Sequence, residues 1–333
     1  MKKHYLFVIL CCFSYLTNHA QTPVEKGLNS INRTTAEAYI GFLASDELEG
    51  RESGYHGSKV AAQYIASILK DMGVSPLNGN YFQPFDAYRK ERQKKGRFEV
   101  HPDSIAKLKQ EVHQKLSMAN VLGMIPGKNS QEYVIVGAHY DHLGIDTALN
   151  GDQIYNGADD NASGVSAVLQ IAKAFIASGQ QPERNVIFAF WDGEERGLLG
   201  SKYFVQSCPF ILQVKGYLNF DMIGRNNRPE QPNHVVLFYT TNNPSFEKYS
   251  QEDIKKYNLQ LEPVYRAWQK LLGGSDNDSF GRVGGIPIIW YHTDGHPDYH
   301  QPTDHADRLN WNKVVDITKA SFLNMWKLAN SFP

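Results

Sequence analysis

The chain has 333 residues, 41% hydrophobic and 21% charged, with a formal net charge of −1, the profile of a soluble globular protein. That balance, with no basic stripe and no RNA-binding aromatic motif, argues against a nucleic-acid surface. The length admits one large α/β domain or two ordinary ones.

Lys2 and Lys3 precede an apolar run from Tyr5 to Leu16, followed by polar residues and Ala20-Gln21. A charged start and a short apolar stretch, too brief for a permanent membrane span, predict a signal peptide over residues 1–20. Residues 21–333 are then exported, to a periplasm or to the medium. Ile9-Leu10-Cys11-Cys12 lacks the small residues that lipidation prefers. Removal of the leader leaves Cys208 alone, so the mature protein is expected to have no internal disulfide and to rely on its core.

Thr34–Leu43 and Gly57–Met72 carry helical spacing, the second with Val60, Ala61, Tyr64, Ile65, Ile68 and Leu69 on one face. Asp46–Arg51 between them reads as a polar turn. The mixed polar stretch 81–114 reads as an excursion from the main domain, and its charge run Arg89–Lys95 as a solvated helix face or loop. Ser117–Gly127 reads as a short strand closed by a Pro-Gly turn.

The rhythm then becomes α/β. Tyr133–Ala138 and Asn185–Trp191 are continuous apolar runs, the mark of strands buried on both faces. Gly216–Phe220, Val235–Thr240 and Ile286–Tyr291 are further strands. Helices are expected over Ser163–Ala177 (with Val165, Val168, Leu169, Ala172, Phe175 and Ile176 inward), Leu198–Gln206, Ser245–Lys256 and Trp311–Ser331. The alternation predicts a single α/β domain with a mostly parallel central sheet and helices on both faces. No internal repeat or low-complexity linker interrupts it.

In open α/β sheets, ligands bind beyond the carboxyl ends of the strands. Here those ends carry His139-Tyr140-Asp141-His142, then Asp159-Asp160 in the following loop, Asp192-Gly193-Glu194-Glu195, and Asp221. The last strand leads into His292, Asp294, His296, Asp298 and His300. Each alone has an ordinary reading: a polar strand end, a first helical turn favoured by the dipole, or surface histidines. Their conjunction on otherwise apolar strands points to one shared rim. His139, Asp159, Glu195, Asp221 and one loop histidine give two imidazoles and three carboxylates. That set without thiolate suits zinc, with manganese or cobalt as alternatives. Five ligands exceed a structural site and suit two metals bridged by one carboxylate.

His139 and Asp141 lie two apart, so on a strand they point the same way, and Asp141 can accept a hydrogen bond from the non-ligating nitrogen of His139. Glu194 and Glu195 diverge, one free for metal and one to act as general base. A calcium loop is excluded, because Asp159-x-Asn161-x-Ser163-Gly164 leads to Gln170 where a bidentate Glu is required. Asn161-Ala162-Ser163 matches a glycan acceptor, but a glycan there would block the site, so it reads as a chance match.

The runs VIVGAHYDHLG, NGADDNASGVSAVLQIAKAF, FAFWDGEERGLLGSKYF, LNFDMIGR and YHTDGHPDYHQPTDHADRLN, in that order, resemble the co-catalytic di-zinc aminopeptidases of metallopeptidase family twenty-eight, of the secreted bacterial type. ASDELEGRESG and MANVLGMIPG are similar to that family's N-terminal segments. The resemblance covers nearly all of the mature chain. It implies a phosphorylase/hydrolase-like zinc-peptidase fold, two Zn2+ per chain, and peptides with a free N-terminus as substrates.

Carried over residue by residue, the resemblance makes His139 a ligand of one zinc and Asp141 its supporting partner. Asp159 becomes the bridging carboxylate, followed by a cis peptide to Asp160. Glu194 becomes the general base that deprotonates the attacking water, and Glu195 the ligand beside it. Asp221 joins the His139 zinc, and His300, over His292 and His296, pairs with Glu195. The two adjacent acids are then inequivalent, with Asp160 or Asn161 capping the helix that starts near Ser163. One departure is Ser275-Asp276-Asn277, where many relatives read Ser-Asp-His. No inserted protease-associated domain is visible before the His139 strand. The rivals are a single-zinc glutaminyl cyclase, which departs from the adjacent-aspartate pattern, a carboxypeptidase, and a non-catalytic receptor ectodomain, which loses ligands.

Overall fold

The computed structural model describes residues 20–91 and 97–330. The expected leader with Cys11 and Cys12, and residues 92–95 of the charge run, lie outside them. No helix among the described residues is long and apolar enough to cross a membrane.

The helix α1 (Pro23–Ser30) opens on a capping box, in which Thr22 Oγ1 accepts from Glu25 N and the Glu25 carboxylate accepts from Thr22 N. Then come α2 (Arg33–Leu43), α3 (His56–Asp71), β1 (Ser75–Pro76), β2 (Phe82–Lys90), α4 (Pro102–Leu108) and β3 (His113–Ile125). The expected excursion is therefore a sheet edge: β2 pairs antiparallel with β3 from Phe82–Val121 to Lys90–His113. Its polar residues alternate with buried Phe85 and Ala87, so the strand signal was diluted by the solvent-facing half. Arg89 and Lys90, expected on a helix face or loop, end this strand, and β3 begins four residues before the expected Ser117.

The remainder follows the expected alternation: β4 (Asn129–His139), β5 (Gly144–Ile145), β6 (Ile154–Tyr155), α5 (Gly164–Ser178), β7 (Arg184–Trp191), α6 (Leu199–Ser207) and β8 (Val214–Phe220). After them come β9 (His234–Thr240), α7 (Phe246–Lys256), β10 (Glu262–Trp268), α8 (Asn277–Val283), β11 (Ile288–His292) and α9 (Trp311–Asn330). The nine-stranded sheet runs β1-β3-β7-β4-β8-β11-β9-β10, with β2 on β3. Its centre, β7-β4-β8-β11, is parallel throughout, while β3 and β9 flank it antiparallel. The registers place His139 opposite Trp191, and Ala138 and Tyr291 opposite Phe220, so four strands end level at one rim.

One face of the sheet is covered by α5, α9, α1 and α2 through Val165, Val168, Leu169, Phe175 and Phe322. Ile176, expected inward, is 42% exposed because the helix has rotated it past the buried stripe. Gly179, at φ 67°, ends α5 in the left-handed conformation that glycine adopts without penalty. The other face packs Trp191, Phe204, Cys208, Tyr217, Phe280 and Trp290, with Tyr217 and Phe280 stacked at 3.7 Å. Cys208 is a free, buried thiol.

The expected polar turn Asp46–Arg51 is a 3-10 segment whose last three residues have positive φ. This delivers Arg51 inward, where it is 1% exposed. Its guanidinium donates to the carbonyls of Tyr140 (2.8 Å), Asn156 (2.6 Å), Gly157 (3.0 Å) and Leu43, joining α2 to the loops after β4. Burial lowers its pKa to about 10, against the opposing pull of Asp160 and Asp141, so it stays charged at neutral pH. Arg51→Met strands those carbonyls and should cost about 3–5 kcal/mol of unfolding free energy. Arg51→Lys should recover only part, because an ammonium lacks the planar fork. Urea denaturation of the three proteins reads both effects.

Candidate metal and catalytic site

The four parallel strands switch from apolar to polar residues as they leave the sheet. His139 is the last residue of β4, Asp221 directly follows β8, and Glu194-Glu195 follow β7 across Gly193. Gly193 has φ 78°, and a Cβ there would lie 2.9 Å from Met118 Sδ, so the sharp exit of β7 requires glycine. Asp160 lies in the turn entering α5, and His300 lies in the loop after β11.

His139 Nδ1 donates to the main-chain carbonyl of Asp141 at 3.2 Å, with the Asp141 carboxylate at 3.7 Å. Nε2 is thereby left facing Asp160 Oδ1 at 3.3 Å and Asp221 Oδ1 at 3.7 Å. The Asp141 carboxylate, expected to accept from His139, stands 3.7 Å from His139 Nδ1 and instead orders the acid pair. It accepts from the amides of Glu194 (3.0 Å) and Glu195 (3.3 Å) and from Ser53 Oγ (2.8 Å).

Glu195 turns away from Glu194. Its Oε1 meets His142 Nδ1 at 2.9 Å and its Oε2 meets His300 Nε2 at 3.2 Å. Asp160 Oδ2 lies 3.2 Å from the same His300 nitrogen. Two donor groups result, His139-Asp160-Asp221 and His142-Asp160-Glu195, each with its ligand atoms within 4.8 Å of one another. Asp160 is common to both, presenting one oxygen to His139 and the other to His300.

Asp159, the expected bridge, does not join them. Its Oδ1 accepts from Gly224 N at 2.6 Å and its Oδ2 faces His296 Nε2 at 3.2 Å, both fully buried behind the rim. The cis peptide lies between Asp160 and Asn161, one residue later than expected. Two consecutive acids leave the backbone in different directions, and the local geometry turns the second toward the rim. Asp304 accepts from the amides of both Asp159 and Asp160 at 3.0 Å. Asn161 is the cap: Oδ1 accepts from Gly164 N at 3.1 Å, while Nδ2 donates to Phe220 O at 2.9 Å.

Of the loop histidines, His300 alone reaches carboxylates of the second donor group, Asp160 and Glu195, without being one of its three members. His292 Nδ1 donates to the Asp221 carbonyl at 2.6 Å, and His296 packs against Asp159. Asp294 pairs with His234 at 2.9 Å. Asp298 accepts from Thr303, Arg308 and Arg225, which together offset burial and hold its carboxyl down at about 2. Sequence reasoning missed His142, because strand alternation points it away from His139, and the chain has already left β4 at that position. Asn277 points away from the rim and donates to the carbonyls of Leu271 and Gly273.

The acid pair is electrostatically split. Burial raises the Glu194 carboxyl well above its usual range, with Asp221, Glu195 and Asp276 adding to it against His139. Glu195, despite burial and the nearby Asp160, is held low by His142 and His300. Burial opposes protonation of His300, yet Asp160 and Glu195 raise its pKa to about 10. The groups line a cavity of about 280 Å³ walled further by Met222, Trp290, His292 and Tyr299.

Residues 120–324 match the model of Peptidase family M28, and the chain belongs to that family. Leupeptin-inactivating enzyme 1 of Streptomyces exfoliatus is 38% identical over 171 residues, covering 51% of this chain and 34% of that protein. The chain therefore spans about a third of that relative's length. The aminopeptidase from Aneurinibacillus sp. strain AM-1 is similar in structure, with a TM-score of 0.67 at 17% identity over 92% of this chain and 96% of that one. The glutaminyl cyclase of Porphyromonas gingivalis reaches a TM-score of 0.64 at 15% identity, over 89% of this chain and 99% of that one. At these identities the structural likeness is one of fold, a single domain with a mostly parallel sheet flanked by helices, as expected from the sequence.

Asn161→Ala removes the buried side-chain bonds to the Gly164 amide and the Phe220 carbonyl. We expect a loss of about 2–4 kcal/mol in unfolding free energy, measured by urea titration.

Proposed function

We propose that the chain is a zinc-dependent aminopeptidase that releases N-terminal amino acids from peptides with a free N-terminus. The observation that carries this reading is Asp160, shared by two donor groups of imidazole and carboxylate. In this reading His139 and Asp221 hold one ion, Glu195 and His300 hold the other with His142 beside them, and Asp160 bridges. Asp159 has no place in the set.

The residues fit such ions. Asp160, Glu195 and Asp221 are buried or nearly so and share the same imidazoles. The guanidinium nearest in charge, that of Arg51, is spent on main-chain carbonyls. Buried like charges need compensation from a cation. Nitrogen and oxygen donors without thiolate suit zinc. Bound zinc supplies polarisation of the scissile carbonyl and an attacking water whose pKa falls to about 7.

Glu194 carries the proton chemistry. Its main chain is anchored by Asp141 and its carboxylate lines the cavity, so it can take a proton from the attacking water. The same carboxyl then delivers that proton to the leaving amine. Glu195, held by two imidazoles, is unavailable for this. Export of the enzyme belongs to this proposal and rests on the charged and apolar N-terminal sequence.

Zinc analysis combined with aminoacyl chromogenic substrates and an N-terminal-Gln peptide tests the reading. About two zinc ions per chain and amine release are expected. One zinc with pyroglutamate formation would replace it with the cyclase reading. Glu194→Gln should keep its metal while kcat falls by about 10²–10⁴. Asp160→Ala should lose zinc, whereas Asp159→Asn should retain it, by metal analysis of the dialysed proteins.

A further inference from the structure

The same two glutamates line a second cavity, of about 490 Å³. Glu194, Glu195 and Gly274 belong to both walls, so the two hollows adjoin, with the proposed base at their junction. Their far walls differ in charge. Beyond the glutamates the second hollow is walled by Arg97, Arg196, Lys202 and Arg282, with Asp278 as the one further carboxylate.

These cations are only partly occupied. Arg282 grips Asp278 through Nε (2.6 Å) and Nη2 (3.0 Å), yet its side chain is 65% exposed. Arg196 pairs with Glu52 and is 37% exposed. Lys202 Nζ donates to the Gly197 carbonyl at 2.7 Å. Neither Lys202 nor Arg97 forms an ion pair among the described residues. Half-exposed pairs of this kind contribute little to stability, so packing does not explain why four cations converge on one wall. Guanidinium forks beside an ammonium match the planar, two-oxygen geometry of a carboxylate.

We propose that this wall is a subsite for a carboxylate on the leaving portion of the substrate. The preferred substrates are then short peptides whose free C-terminus, or whose acidic side chain after the scissile bond, reaches the four cations. The placement of that portion rests on the aminopeptidase reading, whereas the affinity for carboxylate does not.

Calorimetric binding to zinc-loaded Glu194→Gln separates the two questions. The ligands are Leu-Gly, Leu-Gly-amide and Leu-Glu-amide. A carboxylate-bearing ligand should bind at least about tenfold tighter than Leu-Gly-amide. Preference for Leu-Gly identifies the C-terminal carboxylate, and preference for Leu-Glu-amide identifies the acidic side chain. Adding Arg196→Gln and Lys202→Gln should bring the preference below about twofold, with Lys202→Gln alone giving an intermediate value. Equal affinities, absent binding of all three, or a preference that survives neutralisation of Arg196, Lys202 and Arg282 together would each overturn the subsite. If the unmutated chain releases no N-terminal residue, or cleaves N-acetyl-Leu-Glu, the aminopeptidase reading falls while the carboxylate preference is still measured.

Discussion

The buried guanidinium of Arg51 sits beneath a set of carboxylates that would otherwise repel one another. Asp160, Asp141, Asp304 and Glu195 all act on its charge, and it answers by holding the carbonyls of the loops that carry them. Above it the parallel strands end level, so their first polar residues meet whether or not their charges agree. The surrounding hydrogen bonds make that crowding tolerable: Asp141 accepts the amides of the acid pair, Asp304 those of Asp159 and Asp160, and Asn161 reaches both α5 and β8. The rim is thus a rigid acidic bowl, built from backbone amides and one cation before any ligand enters.

Much of this was legible in the sequence where burial is complete. Strands β4, β7, β8 and β11 are apolar on both faces, so their runs stand out and their polar ends mark the rim. The edge strands did not show: β2 buries only Phe85, Ala87 and Tyr88, and β10, which carries Glu262, Arg266 and the half-exposed Trp268, buries none of its residues. Strand pattern brought His139, Asp221 and the acid pair together. The choice of His300 over its neighbours came from the resemblance and not from spacing. Between Asp159 and Asp160 neither pattern nor composition discriminates, since the deciding quantity is the local backbone path.

Adjacent glutamates with opposite environments let one short segment serve two purposes. Glu195 is caught between His142 and His300, while Glu194 keeps a free carboxylate at the junction of two hollows. The Asn277 departure bears on that junction from behind. By bonding to Leu271 and Gly273 it ties down the glycine loop whose Gly274 lines both hollows, and it supplies neither donor group with a ligand atom.

Cys208 packs with Phe204 and Val214, and burial pushes its thiol up to about 11. At neutral pH roughly one molecule in ten thousand carries the thiolate, the form that attacks disulfides and oxidants. The described fold therefore owes nothing to a sulfur–sulfur bond and offers exchange partners almost no nucleophile. Among the described residues its stability rests on burial, hydrogen bonds and ion pairs.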